Sequence, residues 1–310
     1  QDEAVKYVSG PCLVLAGAGS GKTRVITNKI AYLVQECGYK ARNIAAVTFT
    51  NKAAREMKER VGQTLGKNES KGLIVSTFHT MGLTIIRREY KALGLKAGFS
   101  LFDDQDQLAL LKELTERRID GDKDLLRALM STISNWKNDM LTPDQAKARA
   151  QGEQEQLFAF CFEMYQKQMK AYNALDFDDL IAMPVLLLKT NQEVRDRWQS
   201  RIRYLLVDEY QDISGPRAEI LQALQERNPD LVIYGVGDDR QSIYRFTGSD
   251  LSFTYNFFQK FGRGQVTSLD ETYRFNDRIN KVATRFISQN KMQNNRNFIA
   301  RPADEARVHI

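Results

Sequence analysis

A parallel α/β sheet interrupted by a block of helices is the fold that this 310-residue sequence predicts. Three observations lead there. Short apolar runs alternate with amphipathic stretches over residues 12–78. Residues 79–199 carry helical periodicity and almost no strand signal, and the alternating pattern resumes at Tyr204. Strands separated by helix-length segments pair in parallel, because the crossover helix returns the chain to the edge it left. The first strand is expected at 12–16, and its glycine-rich successor opens a helix over 22–37. Strands at 44–49 and 73–78 flank a helix over 51–66. Within the helical block, Gln105-Leu108-Leu111-Leu114 and Leu125-Leu129-Ile133-Trp136 repeat at three- and four-residue spacing, one face of a helix. A strand at 204–209, a helix at 216–227 and strands at 231–236 and 265–269 complete the sheet, and a new helical unit opens at 275–290. The expected division is therefore 1–78 with 200–270 as one α/β domain, 79–199 as a helical insertion, and 271–310 as the start of a further domain.

Composition narrows the function classes. Apolar residues make up 42% and charged residues 27%, and no apolar run approaches the ~18 residues of a membrane span. No membrane partner is expected. The polar, acidic start Gln1-Asp2-Glu3-Ala4 argues against a signal peptide, and the missing initiator Met points to a trimmed chain. Cys12, Cys37 and Cys161 are odd in number and widely spaced, so neither a disulfide framework nor a zinc site is expected and a reducing cytoplasm fits. With only His79 and His309, histidine-based metal or triad chemistry is disfavoured. A net charge of +6 permits a polyanionic partner without requiring one.

The motifs are more specific. Ala16-Gly17-Ala18-Gly19-Ser20-Gly21-Lys22-Thr23 lies between a strand and a helix, the context of a phosphate-binding loop. Backbone N–H groups of such a loop converge on phosphate oxygens, and the helix N-terminus adds positive partial charge. Lys22 would reach the β- and γ-phosphates and the Thr23 hydroxyl would ligate Mg²⁺. The competing reading is a glycine turn before a surface helix. Val207-Asp208-Glu209-Tyr210-Gln211-Asp212 follows an apolar strand, and acids at the C-terminal end of a parallel strand sit where α/β ligands bind. Asp208 would hold Mg²⁺ through water and Glu209 would deprotonate the attacking water; the alternative is an acidic turn capping the next helix.

Gly237-Asp238-Asp239-Arg240-Gln241-Ser242-Ile243-Tyr244-Arg245-Phe246 again follows a strand. Gln241 can touch a γ-phosphate without titrating, while Tyr244 and Phe246 beside arginines suit stacking on unpaired bases, or else belong to the core. Thr48-Phe49-Thr50-Asn51-Lys52 closes one strand and opens a helix, so Thr50, Asn51, Lys52 and the helix N-terminus can bind a backbone phosphate while Phe49 either stacks on a base or packs inside. Thr77-Phe78-His79-Thr80 closes the next strand in the same way. Arg274 in Thr272-Tyr273-Arg274 could reach a γ-phosphate across a cleft.

In this order the motifs resemble superfamily 1A DNA helicases of the UvrD/Rep/PcrA type, over essentially the whole chain. Residues to about 212 look closest to the Rep branch; Ile213-Ser214, Tyr244-Arg245-Phe246 and Thr272-Tyr273-Arg274-Phe275-Asn276 look more like helicase IV. The resemblance implies a RecA-like P-loop NTPase domain with an inserted all-helical accessory domain and the start of a second RecA-like domain. It implies ATP and Mg²⁺, with Gln1 reading adenine and Arg24 and Tyr273 flanking it. It assigns Lys22, Thr23, Asp208, Glu209, Gln241 and Arg274 to hydrolysis and Phe49, Asn51, His79, Tyr244 and Phe246 to a single-strand track. Phe246 stands where such helicases usually carry Trp, and Thr247 where they usually carry Arg, which lowers stacking area and removes a charge. The implied activity is 3′–5′ translocation on single-stranded DNA coupled to strand separation, acting on 3′-tailed or forked duplexes in replication or repair with protein partners from those processes. The alternatives are a helicase-like subunit of a helicase–nuclease complex and a DNA-binding module without unwinding of its own.

Overall fold

The computed structural model describes residues 12–16, 22–119, 121–208, 215–225, 232–238 and 265–268. They divide into two compact units. The first comprises 1–78, 196–213 and 224–310, and the second 79–195 and 214–223.

The first unit is built on a six-stranded sheet in the order β3-β2-β6-β7-β1-β8. Its strands are β1 (Cys12–Ala16), β2 (Ile44–Thr48), β3 (Ile74–Thr77), β6 (Tyr204–Asp208), β7 (Val232–Asp238) and β8 (Gln265–Ser268). Every pairing is parallel. All five residues of β2 are buried, as are the first four of β6. Strands covered on both faces read as continuous apolar runs rather than alternating ones, which is why Ile44-Ala45-Ala46-Val47 and Tyr204-Leu205-Leu206-Val207 were visible in the sequence. Helix α1 (Lys22–Gln35) buries Val25, Ile26, Ile30 and Leu33, and α2 (Asn51–Glu69) buries Ala54, Met57, Val61 and Leu65. Those positions recur every three or four residues, and both stripes join one core with Ile44, Ala46, Tyr204 and Leu206.

The second unit is mainly helical: α3 (Phe78–Glu89), which starts from the last residue of the first unit, α4 (Asp104–Thr115), α5 (Lys123–Asn138), α6 (Pro143–Arg149), α7 (Gly152–Ala171), α8 (Asp179–Thr190) and most of α10 (Pro216–Gln225). Helix α9 (Gln192–Arg201) spans the boundary. Start signals are explicit. Asp103 and Asp106 form a capping box on α4, Thr142 and Gln145 another on α6 with Pro143 in its first turn, and Asp122 accepts from the Asp124 and Leu125 N–H groups at the start of α5. The main core gathers Leu110, Leu111, Leu129, Ile133, Phe158 and Phe162, among others.

The structure corrects several boundaries. The expected strand 73–78 ends at Thr77 and Phe78 is the first residue of α3. The expected strand 44–49 ends at Thr48, leaving Phe49 in the turn. The helical block also contains strands: β4 (Ser100–Phe102) and β5 (Ala174–Asp176) pair in parallel as a separate two-stranded sheet. Three-residue strands carry too little periodicity to register in sequence. The expected helix 275–290 lies outside the described residues.

Two backbones meet closely in this unit. A Cβ on Gly82 of α3 would lie 1.8 Å from the Leu180 carbonyl oxygen of α8 and 2.9 Å from its carbonyl carbon. Pro184, one turn on, has no N–H to give that carbonyl, so α3 packs against a buried turn of helix where the usual intrahelical hydrogen bond is missing. Gly82→Ala therefore pushes a methyl group into main chain that cannot step aside. The expected loss is about 3 kcal/mol or more of unfolding free energy, read from denaturant titration; a variant within about 0.5 kcal/mol of wild type would show that α3 and α8 are free to separate.

Candidate nucleotide and nucleic-acid site

Parallel pairing puts the C-terminal ends of all six strands along one edge. Ala16 closes β1 there, and the chain enters α1 at Lys22. Gly17, Ala18, Gly19, Ser20 and Gly21 lie outside the described residues. Thr23 is half-buried in the first turn of α1, where its carbonyl accepts a 2.8 Å bond from the Thr27 hydroxyl, and Arg24 is exposed. Asp208, half-buried, closes β6. Its register partner on β7 is Val236, which in turn faces Val14 of β1. One strand thus separates the Asp208 strand from the strand that feeds the loop, a lateral distance of about 10 Å at normal strand spacing. That gap suits a phosphate chain with a hydrated cation, and the Thr23 hydroxyl and Asp208 carboxylate are the hard oxygen donors that Mg²⁺ accepts while keeping several waters. The remaining predicted nucleotide residues, Gln1, Glu209, Gln241, Tyr273 and Arg274, lie outside the described residues.

The β2 end carries the next group. The buried Thr48 hydroxyl donates to the Thr50 carbonyl at 3.1 Å, and the Thr50 hydroxyl accepts from the Ala53 N–H at 3.1 Å. This cap fixes the start of α2 and leaves the Asn51 and Lys52 N–H groups without an intrahelical acceptor, while both side chains are exposed. Phe49 is partly exposed, its ring 5.8 Å from that of Phe78. Phe78 itself is only 1% exposed. A stacking platform needs an open face, so Phe78 leaves the set of predicted strand contacts and becomes the backing of Phe49. Tyr244 and Phe246 lie outside the described residues.

His79 belongs to the second unit. It is half-buried at the start of α3, and Phe177 stands edge-on to it, ring centres 6.3 Å apart and planes at 89°. Phe177 is 47% exposed. Sequence reasoning missed it, because Asp176-Phe177-Asp178-Asp179 reads as an acidic turn; an aromatic flanked by acids between two structured segments was the available signal. Burial, and then the Arg217 guanidinium, hold the His79 imidazole below its ordinary value, so at neutral pH it is an uncharged ring and not a phosphate-pairing cation.

Residues 1–262 match the family described as the UvrD/REP helicase N-terminal domain. The chain belongs to the UvrD/REP helicase family. It is 60% identical over 290 residues to the ATP-dependent DNA helicase Rep of Escherichia coli (strain K12), covering 94% of this chain and 43% of that protein. It is equally similar to the Rep of Salmonella typhimurium, and 40% identical over 299 residues to the ATP-dependent DNA helicase PcrA of Bacillus subtilis (strain 168), covering 96% of this chain and 40% of that one. The chain thus spans less than half the length of these relatives. For a UvrD/REP-type N-terminal domain the parallel sheet is the RecA-like element.

His79 gives a pH prediction. In the unfolded chain the imidazole takes up a proton near pH 6.5, whereas the native one does so only at lower pH. Just below 6.5 the unfolded state therefore binds more protons, and the stability His79 contributes is full above that value and lost as pH falls through it. Between about pH 7.5 and about pH 5.5, wild type should lose stability relative to His79→Phe in denaturant unfolding. Parallel profiles for the two proteins would refute the assignment.

Proposed function

We propose that this chain is the ATP-binding part of a DNA translocase that moves 3′ to 5′ on single-stranded DNA and separates strands of 3′-tailed or forked duplexes in replication or repair. The observation that carries the reading is the shared edge of one parallel sheet, where the ends of β1, β2, β3 and β6 bring loop, acid, helix cap and aromatic together. The family and the names of its relatives point the same way. In this reading the loop 16–21, Lys22 and Thr23 hold the phosphates of ATP, with Gln1, Arg24 and Tyr273 around adenine.

Thr23 and Asp208 would hold Mg²⁺, which offsets phosphate charge when bound with the nucleotide. Glu209 takes a proton from water as the water oxygen attacks the γ-phosphorus; the bond to the β–γ bridging oxygen breaks, and phosphate and ADP leave. Gln241 contacts the γ-phosphate and Arg274 offers it a positive charge. Phe49, Tyr244 and Phe246 stack on bases while Thr50, Asn51 and Lys52 meet the backbone, each stacked base contributing about 1–3 kcal/mol. In the second unit, His79 and Phe177 offer an uncharged aromatic pair to a base. A cytoplasmic location fits this work.

Two measurements test the reading. Glu209→Gln should lower ATP turnover about 100-fold or more while leaving fluorescent-nucleotide binding intact, and surviving turnover would displace Glu209 as the base. Phe49→Ala should weaken oligothymidylate binding about tenfold, whereas unchanged affinity would return Phe49 to the core.

A further inference from the structure

Lys137 sits on α5 where the buried stripe Leu126, Leu129, Ile133 would continue with another apolar residue. Its ammonium is instead 2.6 Å from Asp176 Oδ2 and 3.0 Å from Asp179 Oδ1, with all three side chains at most 8% exposed. The Tyr165 hydroxyl on α7 donates to the same Asp176 oxygen at 2.8 Å, and Gln107 Nε2 on α4 donates to the Tyr165 oxygen at 3.1 Å. The two carboxylates also close on each other's backbone. Asp176 N–H donates to Asp179 Oδ2 at 3.0 Å, and Asp179 N–H donates to Asp176 Oδ1 at 2.9 Å. All four carboxylate oxygens are therefore satisfied, and α4, α5 and α7 converge on the four-residue corner 176–179 that joins β5 to α8.

Stability is a poor reason for such a cluster, because buried ion pairs exchanged whole for apolar groups of similar volume are often neutral or stabilising. Directional bonds do something apolar packing does not: they fix where a short corner points. The residue this corner holds outward is Phe177, 47% exposed and edge-on to His79. Its neighbour α8 is held against α3, the His79 helix, through the Gly82–Leu180 approach. We infer that Lys137, with Asp176, Asp179 and Tyr165, forms a positioning set that holds Phe177 as a base-stacking face beside His79. The inference rests on the reading that His79 lies on a single-strand path.

The test is a double-variant cycle on the 310-residue chain with oligothymidylate as the probe. Phe177→Ala should weaken binding about tenfold, the effect of losing one stacked base. Lys137→Met, shown to be folded by its thermal melt, should weaken it comparably, and the Lys137→Met/Phe177→Ala double variant should bind no worse than Phe177→Ala. Multiplying losses, or wild-type binding by a folded Lys137→Met, would overturn the inference. If Lys137→Met does not fold, Tyr165→Phe decides: it removes one donor without stranding a charge, and its loss of binding should vanish in the Phe177→Ala background, whereas persistence there refutes the coupling. Should Phe177→Ala bind normally while Phe49→Ala does not, the positioning role fails and the single-strand reading stands. Should neither variant lose affinity, both fail.

Discussion

Parallel strand pairing is the constraint on which the candidate site depends. A parallel strand must return by a crossover, so the loop after each strand emerges at the same edge as every other. Six strands in the order β3-β2-β6-β7-β1-β8 thus bring residues far apart in sequence, such as Ala16, Thr48, Thr77 and Asp208, onto one line. The edge also gathers helix N-termini, because each crossover helix starts where its strand ends. Five residues separate the end of β1 from the start of α1, and two separate the end of β2 from the start of α2. The unpaired N–H groups of those first turns point outward at that edge, a field suited to anions before any side chain is counted.

The second unit uses a different device to hold its exposed ring. Lys137 is buried, and burial acts to lower its pKa; the charges of Asp179 and Asp176 outweigh that and raise it. Asp176 is also desolvated, yet Lys137 and the donated hydrogen bonds hold it below the ordinary carboxylate range, while burial pushes Asp179 up to about 6. Both acids bind the Lys137 ammonium and each closes on the other's backbone N–H, and Asp176 alone also accepts from the Tyr165 hydroxyl. Losing the cation from such a cluster leaves uncompensated buried charge, a cost of about 3–5 kcal/mol when one partner of a buried pair is removed.

Central strands were legible because they are buried on both faces: β2 and β6 are apolar at nearly every position, a pattern that few surface segments share. Helix starts were legible where a side chain caps them, as at Thr50. What failed did so for physical reasons. Phe78 looked like a strand-end aromatic facing outward, but the chain turns helical at that residue, and its ring falls inward behind Phe49. Strands β4 and β5 were invisible at three residues each. Gly82 carries no local signal, since its role depends on a carbonyl nearly a hundred residues away. Phe177 and Lys137 were obscured in opposite ways, one an aromatic among acids and the other a cation on an apolar stripe. Each breaks its local pattern, and each break marks a place where tertiary contacts override it.

Those breaks bear on what kind of surface the proposed strand would meet. His79 is held neutral and Phe177 is apolar, so this pair offers rings without charge. Phe49 offers another ring, backed by Phe78, and the cations nearby in the β2 turn reduce to Lys52. Ring contacts do not distinguish one base from another, because every base has a π-face, and they are far less sensitive to salt than phosphate pairing. A motor that must grip and release successive nucleotides of any sequence gains from contacts of this kind: each is modest, sequence-neutral and broken by a small displacement of one backed ring. Under the proposed reading, the hydrogen-bonded corner at 176–179 and the buried Phe78 behind Phe49 would each hold a ring in place between steps, so that the energy of ATP hydrolysis would move the strand and not the side chains that hold it.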